Sequence, residues 1–155
     1  MGRLGIAITT YNRCEMVVSL CAAIKLFTSA PYDLVICDDG SSDRTVATLR
    51  GLGETVIAAP NKGVARNKNR GIWYLLTKTT SDQIILLDDD VNIKCHSWDI
   101  DWRHAVQRFG HINYFISDFS RFIVEGDGTG SSPVLTSHLS GAVICFRKDI
   151  PCLSG

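Results

Sequence analysis

The sequence predicts an α/β fold, a mainly parallel sheet with helices on both faces. Two observations predict it. Short apolar runs rich in β-branched residues alternate with longer stretches of helical periodicity, in the order βαβαβα. The short runs are continuously apolar, as strands covered on both faces are. Right-handed crossovers in such a fold bring the carboxyl ends of the strands to one edge, where ligands bind.

Each element has its own signal. Leu4 to Thr10 (LGIAITT) reads as a buried strand. Asn12 is placed to N-cap a helix over about Arg13 to Phe27, and Glu15 completes the outline of a capping box. Val17, Leu20, Cys21 and Ile24 share one face of that helix, and Pro31 ends it. Asp33 to Cys37 (DLVIC) is a second strand, stopping at Asp38-Asp39-Gly40. Ser42 is placed to cap a helix from Asp43 to about Arg50, which Gly51 and Gly53 close. Thr55 to Ala59 is a third strand, and Pro60 to Gly63 is a turn. A helix follows over about Val64 to Thr77, carrying Val64, Ile72, Leu75 and Leu76. Gln83 to Leu87 (QIILL) is a fourth buried strand that runs into Asp88-Asp89-Asp90. Trp98 to Phe109 is helical, and His111 to Ser117 and Leu139 to Phe146 are later strands. Between those two lies a glycine-rich loop, Glu125 to Ser132.

Bulk properties narrow the function classes. The 155 residues contain no repeat, linker or low-complexity tract, so residues 1–155 are expected to form a single domain. Hydrophobic residues make up 45% and charged residues 21%, as in soluble globular proteins. A formal net charge of zero argues against nucleic acid or an anionic membrane as partner. No apolar run approaches the roughly 18 residues of a membrane span. The short N-terminal stretch lacks the h-region of a signal peptide. Six cysteines occur without a CxxC pair, mostly in apolar runs such as VICDD and AVICF. They are expected to be reduced, buried thiols in a cytoplasmic protein, and not a zinc site. Trp73, Trp98 and Trp102 are expected to be packing residues.

The polar clusters carry the chemistry. Three strands end in such clusters: Thr9 to Arg13, Asp38-Asp39, and Asp88-Asp89-Asp90. Crowded carboxylates repel unless a cation or hydrogen-bond donors compensate. Hard Mg²⁺ or Mn²⁺ compensates with oxygen ligands and completes its shell with water and phosphate. In extended chain Asp88 and Asp90 face one way and Asp89 the other. A solvated acidic turn capping the next helix is the plainer alternative. At Asp38-Asp39 one carboxylate can accept from a base N–H or ribose hydroxyl while the other holds the turn; an Asx-turn alone is the alternative. The stretch Asn61 to Arg70 opens a helix with cations and free N–H groups, which attract phosphate. Gly63 lets backbone approach a ligand, and Arg66 and Arg70 share a face; a solvated helical face is the alternative.

Taken together, TTYNR, DDGSSDRT, NKGVARNKNRG and ILLDDDV, in this order, resemble glycosyltransferase family 2, with its Rossmann-like GT-A fold. The resemblance spans about Leu4 to Asn92 and continues more weakly through SGAVICFRKDIPCLSG. It implies an inverting transfer of sugar from a nucleotide-diphospho-sugar, a UDP-sugar first and GDP or dTDP sugars as alternatives, to a sugar, lipid or protein acceptor. It implies that Thr9, Tyr11, Asn12 and Arg13 line the nucleotide pocket. Asp38 would read the base with Asp39 nearby, and Arg66 and Asn67 would lie close to base and phosphates, beside Asn61 and Gly63. Asp88-Asp89-Asp90 resembles the family's DxD motif, with Asp90 the direct ligand of Mn²⁺ or Mg²⁺. Asp88 would reach ribose, or the metal through water. Ser140 and Gly141 would line the sugar or acceptor cleft, and His138 is a further ligand candidate.

The family's general base lies in an acidic motif that would fall beyond Gly155, and Asp118, Glu125 and Asp127 match no such motif. The chain is therefore expected to be the truncated donor-binding part of a longer enzyme, or a shortened relative. A non-catalytic nucleotide-binding module is one rival reading. A nucleotidyltransferase is another, but TTYNRCEMV stands where its glycine- and arginine-rich loop would be. A haloacid dehalogenase-type phosphatase carries its DxD after the first strand, whereas here three strands precede it.

Overall fold

A computed structural model describes residues 2–114, 123–126, 134–136 and 142–149. Asp118, Asp127, His138, Ser140, Gly141 and Cys152 lie outside the described residues, as do residues 115–117 and 139–141 of the two expected late strands and 127–132 of the glycine-rich loop. The elements in chain order are β1 (Arg3–Thr10), α1 (Cys14–Phe27), β2 (Tyr32–Asp38), α2 (Thr45–Gly51), β3 (Val56–Ala58), α3 (Val64–Lys78), β4 (Ser81–Asp88), α4 (Trp98–Phe109), β5 (His111–Asn113), β6 (Ile123–Glu125), β7 (Leu135–Thr136) and β8 (Val143–Arg147). The short β6 and β7 form a separate antiparallel pair that the sequence reading did not anticipate.

The main sheet has six strands in the order β3-β2-β1-β4-β8-β5. β1 to β4 run parallel, as expected, while β8 is antiparallel to both β4 and β5. Strand order reverses between β1 and β4. Register there sets Thr9 opposite Asp88, so polar residues of both strands meet at the carboxyl edge. Because β8 is reversed, its start reaches the same edge, and the amide of Asp88 donates to the carbonyl of Ala142.

Apolar residues on β1 divide between two cores. Leu4, Ile6 and Ile8 pack with Ile36, Ile85 and Leu87 under α1, α2 and α4. Ala7 packs with Val35, Cys37, Ile84 and Leu86 under Leu75 of α3. Helices therefore cover both faces, and among the described residues α3 is the one helix on its face. It lies close to the sheet because residue 71 is glycine: a Cβ there would stand 2.7 Å from the Cβ of Ala7.

Buried polar anchors also hold α4 in place. Asp99 of α4, fully buried, accepts from the amides of Ser29 and Ala30 at 3.0 and 2.9 Å. Arg103, also buried, donates to Gln83 Oε1 and to the carbonyl of Gly2, both at 2.7 Å. Four of the five described thiols are buried and Cys95 is exposed.

Several local expectations need correction. Asn12 does not cap α1, whose N-cap is Arg13 without a side-chain hydrogen bond. Asn12 takes a left-handed backbone, φ +52°, and its Oδ1 accepts from the amides of Ser42 and Asp43. Asparagine tolerates that conformation, and its carboxamide is committed to the neighbouring loop. Glu15 pairs with Arg44 instead of closing a capping box. The helix start at α2 is held not by Ser42 but by Asp43, which accepts from the amide of Thr45 at 2.9 Å. Trp73 is not a packing residue: it is 59% exposed, with Lys78 Nζ 5.6 Å from its ring centroid. Val64, expected on the apolar stripe, is exposed on the first turn of α3 and borders a cavity.

Candidate functional site

A cavity of about 470 Å³ opens at the carboxyl edge, between the ends of β1 and β4 and the start of α3. From β1 come Thr9, Thr10 and Tyr11, followed by Arg13. Thr9 Oγ1 donates to Asp88 Oδ1 at 3.1 Å, and Thr10 Oγ1 to Asp89 Oδ2 at 2.7 Å. Tyr11 is half exposed on the rim. The guanidinium of Arg13 bridges two carboxylates, lying 3.0 Å from Asp89 Oδ1 and 3.1 Å from Asp90 Oδ2. The charge of Asp89, then the hydrogen bond with Asp90, raise the Arg13 pKa above its already high ordinary value.

All three residues of the acidic triplet line this cavity. Their mutual repulsion is offset from within the chain. Lys68 Nζ stands 2.8 Å from Asp88 Oδ1, and Arg13 serves the other two. Asp89 is only 5% exposed, and both its oxygens are engaged, as a buried carboxylate requires. The expectation that Asp89 turns away is thus corrected: it faces Thr10 and Arg13 at the cavity wall. Asp88 Oδ2 and Asp90 Oδ1, by contrast, accept no hydrogen bond among the described residues. One carboxylate oxygen from each of two alternate residues is a hard donor set. It suits a Mg²⁺ or Mn²⁺ ion that completes its shell with phosphate and water. It does not suit an all-protein cage: among the described residues no group of three or more His, Cys, Asp or Glu side chains is arranged to hold a metal.

The opposite wall comes from β2 and α3. Asp39, 4% exposed, accepts from the amides of Lys62 and Gly63 at 3.0 and 2.8 Å and faces Arg70 at 3.4 Å. It thereby fixes the turn that leads into α3. Gly63 has φ +88°, a conformation that favours glycine, and no side chain caps the helix after it. Asn67 is buried against the sheet. Its Nδ2 donates to the carbonyl of Cys37 at 2.6 Å, and its Oδ1 accepts from Arg70 at 3.0 Å.

Thr9, Tyr11, Arg13, Asp39, Asn61, Gly63, Asn67, Asp88, Asp89 and Asp90 come together around one cavity. Three other expected residues do not reach its wall. Asp38 is 1% exposed, and its oxygens accept from the amides of Gly40 and Ser41 and from the Ser41 hydroxyl. The turn thus consumes the acceptors that a base would need. Asn12 supports the loop at Ser42 and Asp43. Arg66 is exposed on the outer side of α3. Thr10, Lys68 and Arg70 sit within the polar clusters of the sequence but carry no individual role there. A signal for Lys68 existed. Gly71 and Leu75 mark the inner face of α3, and phasing the helix on them turns Lys68 inward and Arg66 outward.

The model of glycosyl transferase family 2 matches residues 5–134. Among solved structures, the chain is similar to a mannosyltransferase from Pyrobaculum calidifontis in complex with GDP-Man and Mn²⁺. The TM-score is 0.63 at 15% identity, covering 94% of this chain and 44% of that one. It is also similar to glucosyl-3-phosphoglycerate synthase from Mycobacterium tuberculosis in complex with UDP, with TM-score 0.60 and 16% identity over 94% of this chain and 57% of that one. A complex of that synthase with Mn²⁺, UDP-glucose and phosphoglyceric acid gives TM-score 0.61 at 17% identity, over 94% and 56%. At these identities the likeness concerns the fold, which is the Rossmann-like GT-A fold. The chain spans about half the length of these structures. No curated protein matches it. With the family model covering most of its length, the chain belongs to glycosyl transferase family 2.

Proposed function

We propose that residues 1–155 act as one donor-binding unit of a metal-assisted, inverting glycosyltransferase. The donor is a nucleotide-diphospho-sugar, a UDP-sugar first, and a sugar, lipid or protein hydroxyl receives the sugar. The observation that carries this reading is the pair of carboxylate oxygens, on Asp88 and Asp90, that accept no hydrogen bond among the described residues, in a cavity that also holds a cationic side chain. The solved relatives support it, since their structures contain GDP-Man or UDP with Mn²⁺.

The roles follow from position. Asp90, exposed at the cavity mouth, is the direct metal ligand, and Asp88 reaches the ribose or the metal, in the manner of a DxD motif. Mn²⁺ or Mg²⁺ held there would supply Lewis-acid stabilisation of the leaving diphosphate, worth several kcal/mol. Arg13 adds a positive charge beside the diphosphate. The uncapped first turn of α3, entered through Gly63, offers amide donors to a phosphate. Tyr11, Thr9, Asp39, Asn61 and Asn67 shape the nucleotide end. No helix among the described residues is long and apolar enough to cross a membrane. Burial pushes the pKa of the Cys21, Cys37 and Cys145 thiols up to about 12; with the cysteines among the described residues reduced, we place the protein in the cytoplasm.

Calorimetry of UDP and GDP, with and without Mn²⁺, tests the reading. Metal should strengthen binding of one of them, and Asp90→Ala should abolish that metal-dependent gain. Equal affinities in wild type and Asp90→Ala, or no nucleotide binding at all, overturn it.

A further inference from the structure

We propose that Arg13 is a built-in competitor for the metal, so that a nucleoside diphosphate opens the metal site by drawing Arg13 away from Asp90. The inference rests on the donor-site reading above. Arg13 Nη1 reaches both Asp89 Oδ1 and Asp90 Oδ2, at 3.0 and 3.1 Å. The two contacts are unequal. Asp89 is buried, holds Thr10 with its other oxygen, and needs a cation. Asp90 is exposed, with 53% of its side-chain surface accessible, and does not. The guanidinium is therefore anchored on Asp89 and leans on Asp90.

A divalent ion arriving at Asp90 meets a positive charge already using one of that carboxylate's oxygens. Two cations on one carboxylate repel, so metal alone binds against Arg13. Arg13 lines the same cavity as the triplet, and its side chain is 48% exposed, so it can turn without disturbing the core. A diphosphate in that cavity is a stronger acceptor for the guanidinium fork than a carboxylate it shares. Drawing Arg13 to the phosphate leaves Asp90 to the metal. Binding of either ligand then favours the other, and by linkage the factor is reciprocal.

The test measures Mn²⁺ binding to the intact chain without nucleotide. Arg13→Gln keeps a hydrogen-bond donor for Asp89 but removes the charge. Mn²⁺ alone should bind Arg13→Gln at least about fivefold more tightly than wild type, the low end of ordinary coupling factors. Metal-free UDP should bind Arg13→Gln more weakly. A gain of metal affinity is not what a damaged fold produces. A second variant approaches from the other side: Asp90→Asn weakens the contact on which Arg13 leans and leaves its anchor on Asp89, so metal-free UDP should bind it more tightly than wild type. Unchanged or weaker Mn²⁺ binding by Arg13→Gln overturns the proposal, and so does unchanged UDP binding by Asp90→Asn. Should wild type still bind Mn²⁺ together with UDP in that event, the donor-site reading survives. If it binds neither, both fail.

Discussion

At the scale of single residues, the two aspartates that end β2 divide labour by one position. Asp38 faces inward and spends its oxygens on the turn, whereas Asp39 faces the cavity and holds the entry to α3. Gly40 makes that turn possible. Its φ is +84°, and a Cβ there would lie 2.8 Å from the backbone nitrogen of Asn61. Gly40→Ala should therefore cost about 1–3 kcal/mol through the left-handed backbone alone, with the clash in addition. Urea unfolding should show a lower midpoint at an unchanged slope. The sequence revealed that a carboxylate at this strand end would serve a ligand or a turn. It did not reveal which one, because that depends on the phase of β2 at its last residue. The placement of Arg66 failed for the same reason: two arginines on one face suggest a site, but the buried Asn67, Gly71 and Leu75 set the true inner face of α3.

At the scale of elements, strands were legible because they are buried on both sides and read as unbroken apolar runs. Helix starts were less so, since Asn12, Ser42 and Asp43 are all competent caps and tertiary contacts chose among them. The base of the sheet shows what composition cannot. Arg3 of β1, Asp33 of β2 and Ser81 of β4 join three strands through one carboxylate. The hydrogen bond from Arg3 holds Asp33 below the ordinary carboxylate range, against the opposing effect of partial burial. A carboxylate with a depressed folded pKa contributes stability above its unfolded pKa, about 3.9, and loses it as pH falls through the folded value. Stability should accordingly decline below about pH 4, and Asp33→Asn should flatten that limb in urea titrations at stepped pH. Gly71 offers a second check. Alanine normally strengthens a helix by about 1 kcal/mol over glycine. Here its Cβ would meet Ala7 at 2.7 Å, and overpacking of that kind costs about 1–3 kcal/mol. Gly71→Ala should lower the thermal midpoint despite its better helix propensity.

At the scale of the whole molecule, the expected α/β architecture holds, and the reversed β8 is its main surprise. A continuous apolar run such as AVICF marks a buried strand but carries no direction, so parallel and antiparallel insertion look alike in sequence. Folding and ligand binding are linked through the cavity. A nucleotide present at a hundred times its dissociation constant should add about 2.7 kcal/mol to stability. In a thermal-shift series UDP with Mn²⁺ should raise the midpoint by several degrees, and Asp90→Ala should remove the increment due to the metal.

Among the described residues α3 is the one helix that packs on the Ala7 face of the sheet, at Gly71 and Leu75, and it also brings Asn67 to the cavity wall and Lys68 to Asp88. Under the proposed function, a ligand that grips its near end therefore pulls on the same rod that packs against that core.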